Sequence, residues 1–165
     1  MSDEANEIKA IVTPVRLDYD FTAGLAATQF LRGLEQKKII GARSGPGAPV
    51  MVPPRGADPR TSELVTESVE VSDKGTVVTY SVIRVPSDNI KFELPYVCIN
   101  VLLDGAGVGM FHVLQKCPLD EVRIGMRVQA KWVSDDQLSP NVASIDYFEP
   151  IDEPDVTYEQ IRENT

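Results

Sequence analysis

Between Glu63 and Pro150 the chain is a succession of short runs that can bury apolar surface only by pairing with one another. Thr76–Val85 (TVVTYSVIRV) is β-branched almost throughout. Tyr96–Leu103 (YVCINVLL) is apolar on both alternating sets, the pattern of a strand covered on both faces. Asp104-Gly105-Ala106-Gly107 supplies the glycines of a tight turn, and Val108–Gln115 runs back from it as the second arm of a hairpin. In Met126–Val133, Met126, Val128, Ala130 and Trp132 alternate with Arg127, Gln129 and Lys131, which predicts a half-buried strand. With Leu64–Val71 before and Val142–Phe148 after, about six strands are expected at the spacing of a small barrel or sandwich. The expected fold is mainly β, a five-to-six-stranded barrel of the OB type, with a β-sandwich as the second arrangement.

The barrel occupies 63–150 of 165 residues, which leaves room for small satellites only. Residues 1–38 read as an arm followed by a helix. Pro14 interrupts any helix before it, and Asp20 or Thr22 can cap one running from Ala23 to Gln36. Phe21, Leu25, Phe30, Leu31 and Leu34 form a stripe broader than a helix lying on a small barrel needs. Such a helix either packs on its own domain or docks on a partner, and Phe21, Leu25, Phe30 and Leu31 are the interface candidates. Residues 151–165 (IDEPDVTYEQIRENT) are acidic and polar, a surface tail with one helical turn around Tyr158–Arg162.

Residues 39–62 (IIGARSGPGAPVMVPPRGADPRTS) break the pattern. Gly and Pro crowd in and periodicity vanishes, giving a knuckle with regular structure only in short pieces. Charge changes sign here as well. From Arg32 to Arg60 six basic residues stand against two acids, +4, whereas the remaining 10 basic and 23 acidic residues make −13. Lys37, Lys38, Arg43, Arg55 and Arg60 are therefore the candidates for contact with a small polyanion or an acidic partner surface. Arg55 is favoured because Pro53-Pro54 stiffens the chain before it. Solvated surface charge is the plain alternative.

Other classes of function fare poorly. A net charge of −9 repels phosphate backbones, and the strands lack the basic and aromatic interleaving that stacks bases, so nucleic-acid binding ranks low. No apolar run is long enough for a membrane span, and the first residues lack a secretory pattern, so the expectation is a cytoplasmic protein. Cys98 and Cys117 lie far apart in no paired spacing and read as inert thiols. His112 is the sole histidine, with no second ligand at zinc spacing, and a lone strand histidine is more often structural than catalytic. No catalytic residue, cofactor or metal is expected.

The order of helix, knuckle and barrel resembles the acyl-CoA-associated OB-fold family, domain-of-unknown-function family 35. The resemblance covers Phe21 to Glu149. It rests on Phe21 with Gly24-Leu25, Val52-Pro53-Pro54-Arg55, Leu94-Pro95-Tyr96-Val97, Asp104-Gly105 and Ile124-Gly125-Met126-Arg127-Val128. Members carry a rubredoxin-like zinc ribbon whose two Cys-x-x-Cys pairs flank the Pro-Pro-Arg turn. Here those positions read Ser44-Gly45-Pro46-Gly47 and Asp58-Pro59-Arg60-Thr61, so Ser44, Gly47, Asp58 and Thr61 supply no thiolate. The resemblance implies a degenerate, metal-free ribbon ordered by another protein. It further implies a non-catalytic subunit in a hetero-oligomer with a thiolase-fold enzyme: a sterol-carrier-type thiolase, a retro-aldolase or an acyltransferase. Such enzymes act on acyl-CoA, including steroid or lipid side chains, and the acyl-CoA would lie at the shared interface. A free-standing acyl-CoA or lipid binder, or a partner of a hot-dog-fold enoyl-CoA hydratase, is the alternative.

Overall fold

In the computed structural model, which describes residues 10, 11, 13, 15–20, 22–86 and 92–163, helix α1 (Gly24–Leu34) comes first. Strands β1 (Ile39–Arg43) and β2 (Glu67–Val71) follow and form an antiparallel two-stranded sheet. Then come β3 (Lys74–Ile83), β4 (Tyr96–Leu103), β5 (Met110–Leu114), β6 (Arg127–Trp132) and β7 (Ile145–Pro150), and a short helix α2 (Tyr158–Glu163). β3 to β7 close into a barrel in the order β3-β4-β5-β7-β6, with β6 returning to β3. All neighbours are antiparallel except β5 and β7, which meet in parallel at Leu114 and Phe148. This is the OB-type barrel expected from the strand pattern.

Alternation explains the core. Val97, Ile99, Val101 and Leu103 of β4 point inward with Val77, Val128, Ile145 and Phe148, all almost fully buried. Leu102 on the other face of β4 is buried too, as its apolar run implied. β6 buries Val128 and Ala130 and leaves Arg127 and Gln129 half covered. The hairpin turn falls at Asp104-Gly105, where Gly105 takes φ +92°, a conformation that side chains resist.

Three expectations need correction. Leu64–Val71 is not a barrel strand; its ordered part, β2, pairs with β1 in register from Ile39 opposite Val71 to Arg43 opposite Glu67. That register sets Glu67 and Glu70 beside Arg43 and Lys38, which a barrel position would not. The helix has no side-chain cap: Ala23 is the N-cap, and Gly24 enters with φ +77°. Its last turn also ends at Leu34, two residues short of Gln36.

Phe30 is the third. Proposed from sequence as an interface residue, it is 2% exposed and belongs to the core, with Leu34 at 0% and Leu31 partly buried against them. Gly33 lets the helix sit directly on β1: a methyl there would overlap Ile40 and the Lys38 carbonyl. So α1 spends its stripe on its own domain. Leu25 remains 76% exposed, and Phe21 lies outside the described residues.

The tail is tied down rather than free. Val156 N–H donates to the Gly125 carbonyl (2.9 Å), and Ile161 is buried. Gly125 has φ +91°, and any side chain there would strike the Val156 carbonyl.

Candidate functional site

Between β1 and β2 the chain makes two successive tight turns. Bridges between Ala42 and Met51 and between Ala57 and Leu64 close them. Gly47 (φ +80°) turns the first, and the carboxylate of Asp58 organises the second. Asp58 is 3% exposed, yet its Oδ1 accepts the Arg60 amide at 2.9 Å and its main-chain carbonyl accepts the Ser62 amide at 2.8 Å. Ser44 Oγ reaches its other oxygen at 3.5 Å, and the Arg60 guanidinium covers it. The Arg60 amide, then the Arg60 side chain, hold this carboxyl below the usual carboxylate range.

The four positions where the family resemblance implied zinc ligands do not suit that metal. Gly47 has no side chain, Asp58 is committed to Arg60, and Thr61 is exposed and bonded to Glu63. Only Ser44 and Asp58 face one another. A structural zinc site needs four converging donors, usually thiolate or imidazole. Among the described residues no group of three or more His, Cys, Asp or Glu is placed to hold a metal ion.

The knuckle leans on the mouth of the barrel and leaves a cleft of about 730 Å³ that the C-terminal tail closes from below. Arg43, Arg60, Thr76, Asp104 and Arg127 line its polar side. Arg127 is the hub. Its Nη1 and Nη2 hold Asp104 at 2.7 and 2.6 Å, Nη1 also reaches Thr76 Oγ1 at 3.0 Å, and Nε donates to Glu153 at 3.0 Å. One guanidinium thus joins β3, the β4–β5 turn, β6 and the tail. The Asp104 carboxylate is the chief reason its pKa is raised further. Arg43 donates to Glu67 at 2.5 Å, and its Nε is enclosed with no hydrogen-bond partner among the described residues.

The cleft therefore brings together Arg43 and Arg60 from the sequence-predicted set and adds Arg127, which the sequence reading places on the polar face of a strand and in a resemblance motif but not among the site candidates. Each is answered by a carboxylate of the same chain. Lys37 and Lys38 lie elsewhere, paired with Asp135 (2.5 Å) and Glu70 (3.2 Å). Arg55 differs: no ion pair to it is found among the described residues. It stands on a separate groove of about 440 Å³ lined by Met51, Val52, Pro54, Val108 and Phe111, the last 73% exposed. An unpaired guanidinium beside an apolar trough suits a ligand or surface with one anionic end.

Groups able to do covalent or acid–base chemistry are scattered. His112 sits in β5 with its ring edge-on to Phe148 at 5.4 Å between centroids and lines a pocket of about 330 Å³ with Phe92 and Asp146. Burial lowers its pKa, so it is neutral near pH 7. Cys98 and Cys117 are free, and burial raises both thiols, which keeps them protonated and poor nucleophiles. Neither shares a pocket with His112. No helix of the described residues is long and apolar enough to cross a membrane.

Comparison with known proteins adds four likenesses. A family model described as the C-terminal OB-fold domain of ChsH2 matches residues 68–133. A DUF35 domain-containing scaffold protein of Methanocaldococcus jannaschii is 31% identical over 97 residues, which are 58% of this chain and 68% of that protein. Among solved structures, the Ltp2-ChsH2(DUF35) aldolase aligns with a TM-score of 0.58 and 22% identity, over 77% of this chain and 95% of that one. A DUF35-family protein of unknown function from Sulfolobus solfataricus aligns at 0.56 and 21%, over 77% and 84%. At such identities the structural matches speak for the fold.

Proposed function

The chain belongs to the DUF35 family, and from that premise we propose that it is a non-catalytic accessory subunit assembling with a thiolase-fold enzyme that acts on acyl-CoA. The observation that carries this reading is the match to a protein described as a scaffold, over two thirds of that protein's length. The likeness of the fold to a DUF35 chain of an aldolase supports the same role. So does the scatter of His112, Cys98 and Cys117, since a nucleophile needs a base within hydrogen-bond reach. The acyl-CoA would carry a steroid or lipid side chain, and the knuckle with Arg55 would face the catalytic subunit.

The test is purification of the tagged full chain from its native source. A thiolase-fold protein in fixed stoichiometry, with acyl-CoA turnover by the complex and none by this chain, supports the reading. Turnover by the pure chain that disappears in His112→Ala would refute it. A second reading, a free-standing acyl-CoA or lipid binder, draws on the groove beside Arg55. Saturable thermal stabilisation of the isolated chain by an acyl-CoA would favour it.

A further inference from the structure

Among the described residues the segment before α1 carries no helix or strand, yet it exposes large apolar side chains in alternation. Val15 is 86% exposed, Leu17 78% and Tyr19 72%, and Arg16, Asp18 and Asp20 stand between them. Arg16 Nε donates to Asp18 Oδ2 at 2.7 Å. Residues two apart touch in this way when the backbone is drawn out and side chains alternate between faces. The arm is unpaired among the described residues, and its sequence alternates apolar with charged side chains, so that drawn out as a strand it would be apolar on one face and charged on the other.

We propose that this arm pairs antiparallel with the same arm of a second copy of the chain, about a two-fold axis through Leu17. The sequence around Leu17 is self-complementary. With Leu17 opposite Leu17, Arg16 of each copy faces Asp18 of the other, and Val15 faces Tyr19. Both ion pairs form across the strands on one face, and small meets large on the apolar face. Other registers are less favourable. A slip of one residue sets charged side chains against apolar ones. A slip of two in one direction keeps two ion pairs, Arg16 with Asp20, but sets Asp18 against Asp18; in the other direction it sets Arg16 against Arg16, and like charges directly opposite are destabilising.

An isolated two-stranded ribbon is marginal in water, so its apolar face needs a floor. Leu25, 76% exposed on the first turn of α1, is available from each copy, with Ile11 at 80%. These five side chains expose an area on the order of 600 Å² per copy, close to the roughly 800 Å² per partner of a stable interface. The contact is isologous, so it closes at a dimer. It does not depend on the accessory role, but an accessory subunit paired in this way would hold two catalytic assemblies together.

Sedimentation equilibrium of the full chain tests the pairing. A reversible dimer is expected, weakened roughly tenfold or more in Arg16→Asp, which sets like charges opposite twice per dimer. Dimerisation should return in the double variant Arg16→Asp with Asp18→Arg, because that exchange restores self-complementarity. Both side chains are exposed, so at concentrations where both proteins are monomers the melting temperature should not move. Under mild oxidation Leu17→Cys should cross-link to its copy, since facing residues lie about 4.5–5.5 Å apart. Val15→Cys should not, because its two copies would be roughly 14 Å apart. A monomer at concentrations on the order of 100 µM, a dimer indifferent to Arg16→Asp, or cross-linking of Val15→Cys as readily as Leu17→Cys overturns the proposal. Burial of the arm on a different protein with this chain present singly overturns it too.

Discussion

Replacing Arg127 by Met tests whether one guanidinium joins the barrel mouth, the hairpin turn and the tail. Methionine keeps an unbranched stem of similar length, so packing changes little and the charge and its hydrogen bonds are what is lost. The Arg127 side chain is only 10% exposed, whereas Asp104 is 48% and Glu153 34% exposed. Breaking a fully buried pair costs about 3–5 kcal/mol, and a surface pair about 0–1 kcal/mol. Here one partner is buried and both acids can rehydrate. Glu153 also keeps Lys74 at 2.6 Å, so we place the cost at about 2–3 kcal/mol. For a chain of this size that lowers the melting temperature by roughly 5–10 °C.

Acidity supplies a second readout. Lys74 first and Arg127 second hold the Glu153 carboxyl below its ordinary value of 4.5. A depressed carboxyl contributes stability that is complete above that ordinary value and fades as pH falls through the folded one. The gap between wild type and Arg127→Met should therefore be full near pH 7 and shrink below about pH 4. Calorimetry across that range measures it. A loss under about 2 °C near neutrality, or a gap that widens on acidification, refutes the hub.

Phe30→Ala should cost about 3–5 kcal/mol in the isolated chain, because it empties a core site, whereas Leu25→Ala should stay within about 0.5 kcal/mol. Equal melting temperatures for the two variants would put Phe30 outside the core. Asp58→Asn should lower the melting temperature near pH 7, and its effect should begin to fade below the ordinary carboxyl value of 3.8 and be lost as pH falls through the lower, folded value. A chelator should leave the wild-type melting curve unchanged, and a drop of several degrees on chelation would reveal a metal that the knuckle side chains do not explain. Arg55→Gln should leave stability unchanged and weaken assembly or acyl-CoA affinity at low salt, with a loss that shrinks as salt rises. Binding titrations at two ionic strengths check this, and equal affinities for both proteins at low salt count against a role for Arg55.

The barrel was legible because its signals are local. Val97, Ile99, Val101 and Leu103 announce their inward face by alternation, and Asp104-Gly105 announces the turn. Partners distant in sequence were not legible. Nothing near Ile39 says that this β-branched pair will find Val71, so β1 is hidden within a Gly- and Pro-rich stretch and the local pattern places β2 in the wrong sheet. The face of α1 was equally hidden. Leu25 and Phe30 belong to one apolar stripe on paper, and only packing against β1 decides that one is exposed and the other enclosed.

The same distinction governs the basic segment. Its excess charge is a count along the chain, whereas a ligand meets a surface. The fold brings Asp135 to Lys37 from 98 residues away, Glu70 to Lys38 from 32, and Glu67 to Arg43 from 24. These acids cancel most of what the segment offers, and Arg60 is taken by Asp58 within its own turn. A bidentate anion seeking a cation must break one of these pairs or bind where none exists, and displacing an intramolecular carboxylate surrenders much of the gain. Rigidity alone would not separate Arg55 from Arg60, since each follows a proline closely. What separates them is that Asp58 sits within reach of one and no described acid within reach of the other, beside an apolar groove. Recognition through the knuckle should therefore depend on a single arginine rather than on the summed charge of five.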